Sequence, residues 1–533
     1  MNQVNNNNGM QKRMLIMTLV VFAFFIAYEF LVLKPQQEQR EAQAKAQQEL
    51  QAKQTPQETT TVSSTPSMDK SIDLLSTKVV ADKEIAAVVE TARNTIEIDK
   101  FGRIAQVTLK DDIYHDEDGN QIKLFEANQL RPLEVRFADA NINNEAFQTP
   151  VLVSAQKVDA SNGTQQLVVK QELEGTTLTK VFTFYADGHY DLDVKATNGQ
   201  KFFITNGYRP NVLADMYAVH GLILKKLDGT LETIEDGDLD KSVNFNDIKF
   251  VSNFDRYYAT VIYNFEKLLN VSLMPDKNGD PQAFIHGNDG VSFSGFIGPK
   301  NHKDLIALNE QLVDVIDYGW FTFLAKPMFI FLQYIQSYVG NWGWTIVIFT
   351  VLVKLILYPL SYKGMVSMNK LKDLAPKMKE IQEKYKDDKQ KQSMHMMELY
   401  KKHGANPMGG CLPLILQIPI FFAIYRVLLN AIELKGAEWI FWVQDLAEMD
   451  PYFVLPILMG ASMYLQQKIT PNTLQDETQR KIFQFLPVIF TFFFLWFPAG
   501  LTLYWFTNNV FTIAQQYSIN KMFEKKREAV KKK

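Results

Sequence analysis

The residue best placed to do chemistry is Lys354, an amine set inside the apolar run from Asn341 to Tyr362. A run of that length suffices to cross a bilayer, which takes about 20 residues, and a charge near its middle costs about 2.5 to 3.5 kcal/mol. On a helix, Thr350, Lys354, Tyr358 and Ser361 fall at i, i+4, i+8 and i+11 and so share one face. Such a stripe suits non-covalent chemistry, in which a fixed positive charge flanked by hydroxyls attracts a carboxylate. The plainer alternative is that Lys354 snorkels to the nearer surface along its own stem. A second polar set comes later in the chain. Asn508, Thr512 and Gln515 lie on one helical face, with Asn509 and Gln516 beside them and Tyr504 and Trp505 just before. Gln417 sits between Pro413 and Pro419, and Gln466 and Gln467 close another apolar stretch. These residues either bond helix to helix, at about 0.6 to 2 kcal/mol per contact, or line a wet cavity that houses Lys354. The cavity is the preferred reading, because no span offers Lys354 a deeply placed carboxylate.

Covalent chemistry finds no footing. There is no phosphate loop of the G-x-x-x-x-G-K-[ST] type, no G-x-S-x-G and no H-E-x-x-H. The single cysteine, Cys411, forbids an intramolecular disulfide framework, and the seven histidines show no metal-ligand spacing. We expect no enzyme, no cofactor and no metal. A net charge of -3 gives no reason to expect DNA as a partner.

The elements that must position Lys354 can be read in order. A chain of 533 residues with a mean hydropathy of -0.14 is too polar to be all membrane, so a large soluble part is expected. Lys12 and Arg13 precede the apolar run Met14 to Leu33, which is too long for a signal core and has no Ala-x-Ala-like site. Residues 1–33 are therefore read as an uncleaved anchor with a cytoplasmic N-terminus. Residues 34–77, rich in Gln, Ala, Glu and Lys and then in Thr, Ser and Pro, form a flexible periplasmic linker.

Across 78–318 the pattern alternates with period two. Thr95 to Asp99 and Ile104 to Leu109 read as strands about a turn at Phe101-Gly102, and Leu178 to Tyr185 and Tyr190 to Lys195 alternate likewise. Turn dipeptides recur at Asp118-Gly119, Asn162-Gly163, Asp228-Gly229 and Asn278-Gly279. An all-β, sandwich-like domain is predicted. Residues 319–340, interrupted by Lys326-Pro327, are read as an amphipathic helix lying flat in the outer interface, since a crossing there would put the lysine-rich loop that follows outside.

Residues 341–362 form the second span. The loop 363–410 is cytoplasmic, and Leu371, Leu374, Met378, Ile381 and Tyr385 step by three and four, predicting a helical hairpin that turns at Asp387-Asp388. Its lysines are either a solvated face or a docking surface for ribosomal RNA, partner protein or anionic lipid headgroups. Four further spans fill 411–517, with Arg426 toward an outer end, and the basic tail 518–533 is cytoplasmic. Six spans with both termini inside satisfy every charge bias.

The run Asn406-Pro407-Met408-Gly409-Gly410-Cys411-Leu412-Pro413-Leu414-Ile415-Leu416-Gln417-Ile418-Pro419-Ile420-Phe421, the run Leu495 to Leu501 with Phe497-Pro498-Ala499-Gly500, and Asn341-Trp342-Gly343 resemble the YidC/Oxa/Alb membrane protein insertase family. The likeness covers about Trp320 to Lys526, and the outer domain is similar to that of the longer Gram-negative form. The resemblance implies a polytopic protein of the bacterial inner membrane. Its five-helix core would hold a groove open to the cytoplasm and lipid, below a periplasmic β-supersandwich. It implies nascent membrane proteins as clients, and work alone or beside the Sec translocon (SecYEG, SecDF) with ribosomes presenting chains. Groove residues implied by the family are Thr350, Gln417, Gln467, Trp505 and Asn508, beside Lys354 and Thr512. The family's intramembrane cation is generally arginine; lysine keeps the charge and loses the planar fork. Two other classes were weighed. A solute transporter or channel would show a repeat or a through path, and a carbohydrate-active β-domain would need a carboxylate pair that cannot be singled out.

Overall fold

The computed structural model describes residues 84–115, 119–212, 219–405, 412–470 and 477–531. The anchor, the linker, Asp118, Asn406 to Cys411 and the last two residues lie outside them.

The first half is β-structure. The strands β1 (Ile85–Glu90), β2 (Asn94–Asp99), β3 (Ile104–Leu109) and β6 (Lys157–Asp159) make a four-stranded sheet in the order β3-β2-β1-β6. The β2–β3 turn falls where the sequence places it. Asp99 accepts the backbone N–H of Phe101 and of Arg103, each at 3.0 Å, and Gly102 takes a φ of 69° that a side chain would strain.

A 13-stranded sheet carries the rest. Its strands are β4 (Val135–Phe137), β5 (Leu152–Val153), β7 (Gln165–Leu173), β8 (Thr176–Phe184), β9 (Tyr190–Ala196), β10 (Lys201–Thr205), β11 (Gly221–Lys226), β12 (Leu231–Glu235), β13 (Val243–Phe254), β14 (Tyr258–Tyr263), β15 (Leu269–Pro275), β16 (Pro281–Asn288) and β17 (Gly290–Pro299). Strand β8 alternates buried and half-buried residues, so only one face meets the core, whereas every residue of β14 is buried. Strand β13 pairs with β15 along its first half and with β11 and β14 along its second. The hand-over is a bulge between Phe245 and Ile248, where Asp247 sits at φ 57°.

An ionic network lies inside this domain. Asp99 binds Arg103 at 2.7 Å and Arg131 at 2.6 Å, and Glu134 binds Arg103 at 2.9 Å and Arg136 at 2.7 Å. All five are buried. Beside them Lys180 donates to the carbonyls of Gly102 at 2.7 Å and Leu133 at 2.8 Å. Burial pulls the Lys180 amine down to about 7 against the attraction of Asp99.

The β-domain passes into helices without a break in its core. Helix α2 (His302–Leu308) buries Leu305, a 3-10 segment buries Leu312, Val313 and Val315, and helix α3 (Thr322–Val339) adds Ala325, Phe329 and Leu332 to the same cluster. A smaller helix, α1 (Ala140–Ala146), precedes them in the chain. The lysine that interrupts 319–340 has a structural use. Lys326 binds Asp314 at 2.8 Å, and Asp314 also binds Lys225 of β11 at 2.7 Å, so one carboxylate ties α3 to the sheet.

Helix α4 (Trp342–Ile356) starts at an Asn341 cap and ends six residues short of Tyr362, where a straight span would finish. Helix α5 (Tyr358–Lys384) starts after Leu357. Pro359 has no N–H to return to Leu355, and proline is tolerated only in a first turn, so the chain breaks there. Tyr358 and Ser361 consequently do not continue the stripe of Thr350 and Lys354 on one unbroken helix.

The hairpin of α5 and α6 (Lys389–His403) is a compact unit of its own. Leu371, Leu374 and Met378 pack with Ala405, Met396, Leu399 and Tyr400, while Tyr385 stacks on His395 at 4.7 Å. Asp388 caps α6 at its start and Gly404, left-handed, at its end. The last four helices are α7 (Leu412–Asn430), α8 (Val454–Ile469), α9 (Glu477–Phe494) and α10 (Ala499–Lys531).

Among the described residues no single helix is long and apolar enough to cross a membrane; α4 and α5 reach that length and composition only as a pair bent by 65°. The shortfall has a visible cause. Asn508, Asn509, Gln515 and Gln516 dilute α10, and Gln466, Gln467 and Lys468 end α8.

Candidate functional site

Lys354 sits in the last turn of α4, where unpaired carbonyls favour a cation. Its ammonium donates to Gln417 Oε1 of α7 and to Thr512 Oγ1 of α10, each at 3.0 Å. The Thr512 hydroxyl donates to the carbonyl of Asn508 at 2.7 Å, so its lone pair is free to accept from the lysine. Gln417 in turn donates through Nε2 to Asn508 Oδ1. Four side chains from three helices thus close a ring around one positive charge. Lys354 is only 7% exposed, and its partners are all neutral; among the described residues no carboxylate pairs with it.

The sequence readings divide on this geometry. Lys354, Gln417, Asn508 and Thr512 come together as expected. Snorkelling is not what Lys354 does, since its amine is held between helices. Thr350 is buried beside it in sequence, but its hydroxyl donates back to the Ile346 carbonyl at 2.6 Å and spares its own helix an exposed polar group. Trp505 packs in an aromatic cluster with Phe421 at 4.6 Å, Phe494 at 5.5 Å and Phe490 at 5.9 Å. Gln467 is half-buried on α8 and is not a partner of Lys354.

The polar residues on α10 divide between bonds to neighbouring helices and one buried amide without a partner in the protein. Asn509 donates to Ser462 of α8 at 3.1 Å, and Gln516 donates to Asn520, which reaches the carbonyl of Ile469 at 2.8 Å. The Asn509–Ser462 and Asn520–Ile469 bonds run from helix to helix, and the Gln516–Asn520 bond lies within α10. Gln515, on the face of Asn508 and Thr512, is buried with neither amide atom bonded within the protein. It belongs on the list of site candidates. The i, i+4, i+7 spacing already pointed to it.

The loop Ala437 to Asp450 covers the end of the helices away from Lys354. Asn341 donates to the carbonyl of Glu438 at 2.9 Å, and a Cβ on Gly343 would overlap the ring of Trp439. From the other side, Ala499 and Gly500 donate to the carbonyls of Glu448 at 2.7 Å and Leu446 at 2.9 Å. Asp450 holds the loop's far end, accepting Trp442 Nε1 at 3.0 Å and the N–H groups of Tyr452 at 3.0 Å and Leu455 at 2.6 Å. Asn341-Trp342-Gly343 and Phe497-Pro498-Ala499-Gly500, far apart in sequence, therefore meet on one loop.

What the arrangement can do is electrostatic. At about 5 Å and an effective dielectric of about 20, the uncompensated ammonium attracts a carboxylate by about 3 kcal/mol. No bond is made or broken by any residue of the ring.

Residues 334–527 match the family described as 60Kd inner membrane protein, and residues 285–331 match the YidC periplasmic domain. The chain is 50% identical over 527 residues to the membrane protein insertase YidC of Campylobacter jejuni, covering 98% of each chain. It is 49% identical to that of Wolinella succinogenes, covering 98% of this chain and 97% of the relative, and 44% identical to that of Helicobacter pylori, covering 98% of each. Identity at this level along the whole length, through the β-domain as well as the helices around Lys354, means that the chain belongs to the YidC family of membrane protein insertases.

Proposed function

We propose that this chain inserts and folds nascent membrane proteins in the bacterial inner membrane, with Lys354 as the charge that helps their polar flanks across. The observation that carries the reading is the ammonium of Lys354 held by neutral partners only. Its charge is not spent on an internal acid, so it is available to a substrate carboxylate. The insertion of an apolar helix is already downhill, at about 0.3 to 0.6 kcal/mol per large apolar residue. What resists is the hydrophilic flank, at a few kcal/mol per charge. An attraction of about 3 kcal/mol offsets about one such charge.

In this reading the apolar faces of α7 and α10, with the cluster around Trp505, pass the helix sideways into lipid. The span count is six, counting the N-terminal anchor, with both termini cytoplasmic and the β-domain periplasmic. Helix α3 and the 3-10 turn before it lie in the outer interface, the exposed Trp320 of the turn and Phe323 and Tyr338 of the helix suited to headgroup depth. The lysine-rich hairpin faces ribosomes or anionic headgroups, and the Sec translocon is a partner for longer clients. Chemistry is limited to binding, so the chain is not an enzyme. The transporter reading finds no support among the relatives, which are named insertases.

Photo-crosslinking from positions 350, 417, 505 and 515 to a ribosome-stalled client tests the site. Positions 417 and 515 are expected to label the client's flank and 505 its apolar segment. Labelling from none of these positions, while lipid-facing positions of α9 label strongly, overturns the reading.

A further inference from the structure

Helix α3 is apolar on two opposite sides. Ala325, Met328, Phe329, Leu332 and Ile335 are buried in the core, while Phe323, Ile330, Tyr334 and Tyr338 are exposed on the other face. A helix apolar all round belongs inside a structure, so the exposed face is expected to be covered. A groove of about 640 Å³ runs along it from Thr322 to Tyr334, lined among the described residues by α3 alone. The groove is positive toward one end. Lys326 lines it and shares Asp314 with Lys225, at 2.8 and 2.7 Å, so two cations meet one carboxylate and the cluster keeps a net positive charge. The Lys326 side chain stays partly exposed, which leaves its other donors within reach.

The chain itself supplies an apolar segment of the opposite charge. The run Met14 to Leu33, outside the described residues, carries a single acid, Glu29, four residues before its end. At about 1.5 Å per residue, Glu29 lies about 6 Å inside the end that faces outward in the proposed topology. That is close to the depth of an interfacial helix, and an acid set there is stabilised beside a cation. On a helix, Phe22, Phe25, Ile26, Val32 and Leu33 share its side and suit Phe323, Ile330 and Tyr334 as apolar partners. Residues 34–84 tether the run to β1 and, as a flexible coil, span about 40 Å. Arg93, just past β1, binds Asp304 of α2 at 3.0 Å, so the tether starts near the helices. A tethered segment has a local concentration on the order of 1 mM, which favours it over a second copy.

We propose that the outer turns of the N-terminal anchor, from Phe25 to Leu33, dock in the α3 groove with Glu29 paired to Lys326. The docking rests on the proposed topology of the anchor and of α3, and the experiment separates the two. In a Cys411→Ser background, full chains in inner-membrane vesicles carry Ile26→Cys with Ile330→Cys, or Val32→Cys with Phe323→Cys, and a protease site inserted after Gln54. A short bis-maleimide is added and the linker is then cut. A bridged chain stays at full size on a denaturing gel, whereas an unbridged one separates into two pieces. Size before the cut shows whether a bridge lies within one chain or between two. Ile26→Cys with Phe492→Cys, exposed near the outer end of α9, is the control. Asn8→Cys alone, labelled by a maleimide that cannot cross the bilayer, reports the side on which the N-terminus lies.

Both docking pairs are expected to bridge in most chains, and the control in few. Glu29→Gln and Lys326→Glu are each expected to lower the Ile26–Ile330 yield about threefold, as for a partly exposed ion pair. The reversed pair, Glu29→Lys with Lys326→Glu, is expected to bring the yield back. Docking pairs that bridge no more than the control leave the groove to lipid, and bridges only between chains assign it to a second copy; either overturns the proposal. So does a yield indifferent to all three charge variants. If Asn8→Cys labels from the outer side, the topology falls and the docking with it. If it labels from the inner side and no bridge forms, the docking falls alone.

Discussion

Replacing Lys354 by Gln tests the charge separately from the packing. Glutamine can still donate to Gln417 Oε1 or Thr512 Oγ1, which Lys354 holds at 3.0 Å, so the three helices keep a polar link while the charge is gone. At about 5 Å and a dielectric of about 20 the lost attraction to one client carboxylate is about 3 kcal/mol. Counter-ions in a hydrated site, with a Debye length of about 8 Å at physiological salt, cut this roughly in half. Each 1.4 kcal/mol, roughly, is a factor of ten in rate. A client with one acidic residue in its translocated tail is therefore expected to insert about tenfold more slowly, while a client with none changes less than about twofold. Lys354→Arg restores the charge and is expected to restore the acidic client. The assay is protection of the translocated tail from external protease in proteoliposomes, repeated at low and high salt. Equal slowing of both clients, or a salt-independent defect, would falsify the electrostatic account.

Two other expectations follow from the packing. Lys180 takes up its proton near pH 7 when folded and near 10.5 when unfolded, so between those values the unfolded chain holds more protons and β-domain stability rises with pH; below about 7 this group contributes no further change. Hydrogen exchange of β7 to β9 in the full chain should show that slope, and Lys180→Met should flatten it. Gly343→Val drives a side chain into the ring of Trp439 and is expected to cost about 1 to 3 kcal/mol, read as a lower melting temperature in detergent.

Local periodicity carried the parts of the fold that are local. The β2–β3 turn, the seam of Leu371, Leu374 and Met378, and the α10 face with Asn508 and Thr512 all need only neighbours a few residues away. Lys354 was legible because a charge in an apolar run has few explanations. What stayed hidden depends on distant partners. Arg103, Arg131, Glu134 and Arg136 look like ordinary solvated charges until the sheet brings them together inside. Arg256 donates to the carbonyl of Leu429, 173 positions away. The break at Leu357 was missed for another reason: hydropathy continues through Tyr358-Pro359-Leu360, and only the missing proline N–H marks where the helix stops. That the Thr350 hydroxyl bonds its own helix stayed hidden because spacing shows which face a hydroxyl is on and not whether it bonds its own backbone.

The outer loop that receives both Gly343 and Gly500 also bears on the energetics of the host cell. A bilayer that stores an ion gradient cannot tolerate a hydrated passage from one face to the other. In the proposed reading the backbone and tryptophan ring that cover this end make the protein a cul-de-sac that needs no gate, and a client arriving or departing sideways discharges nothing.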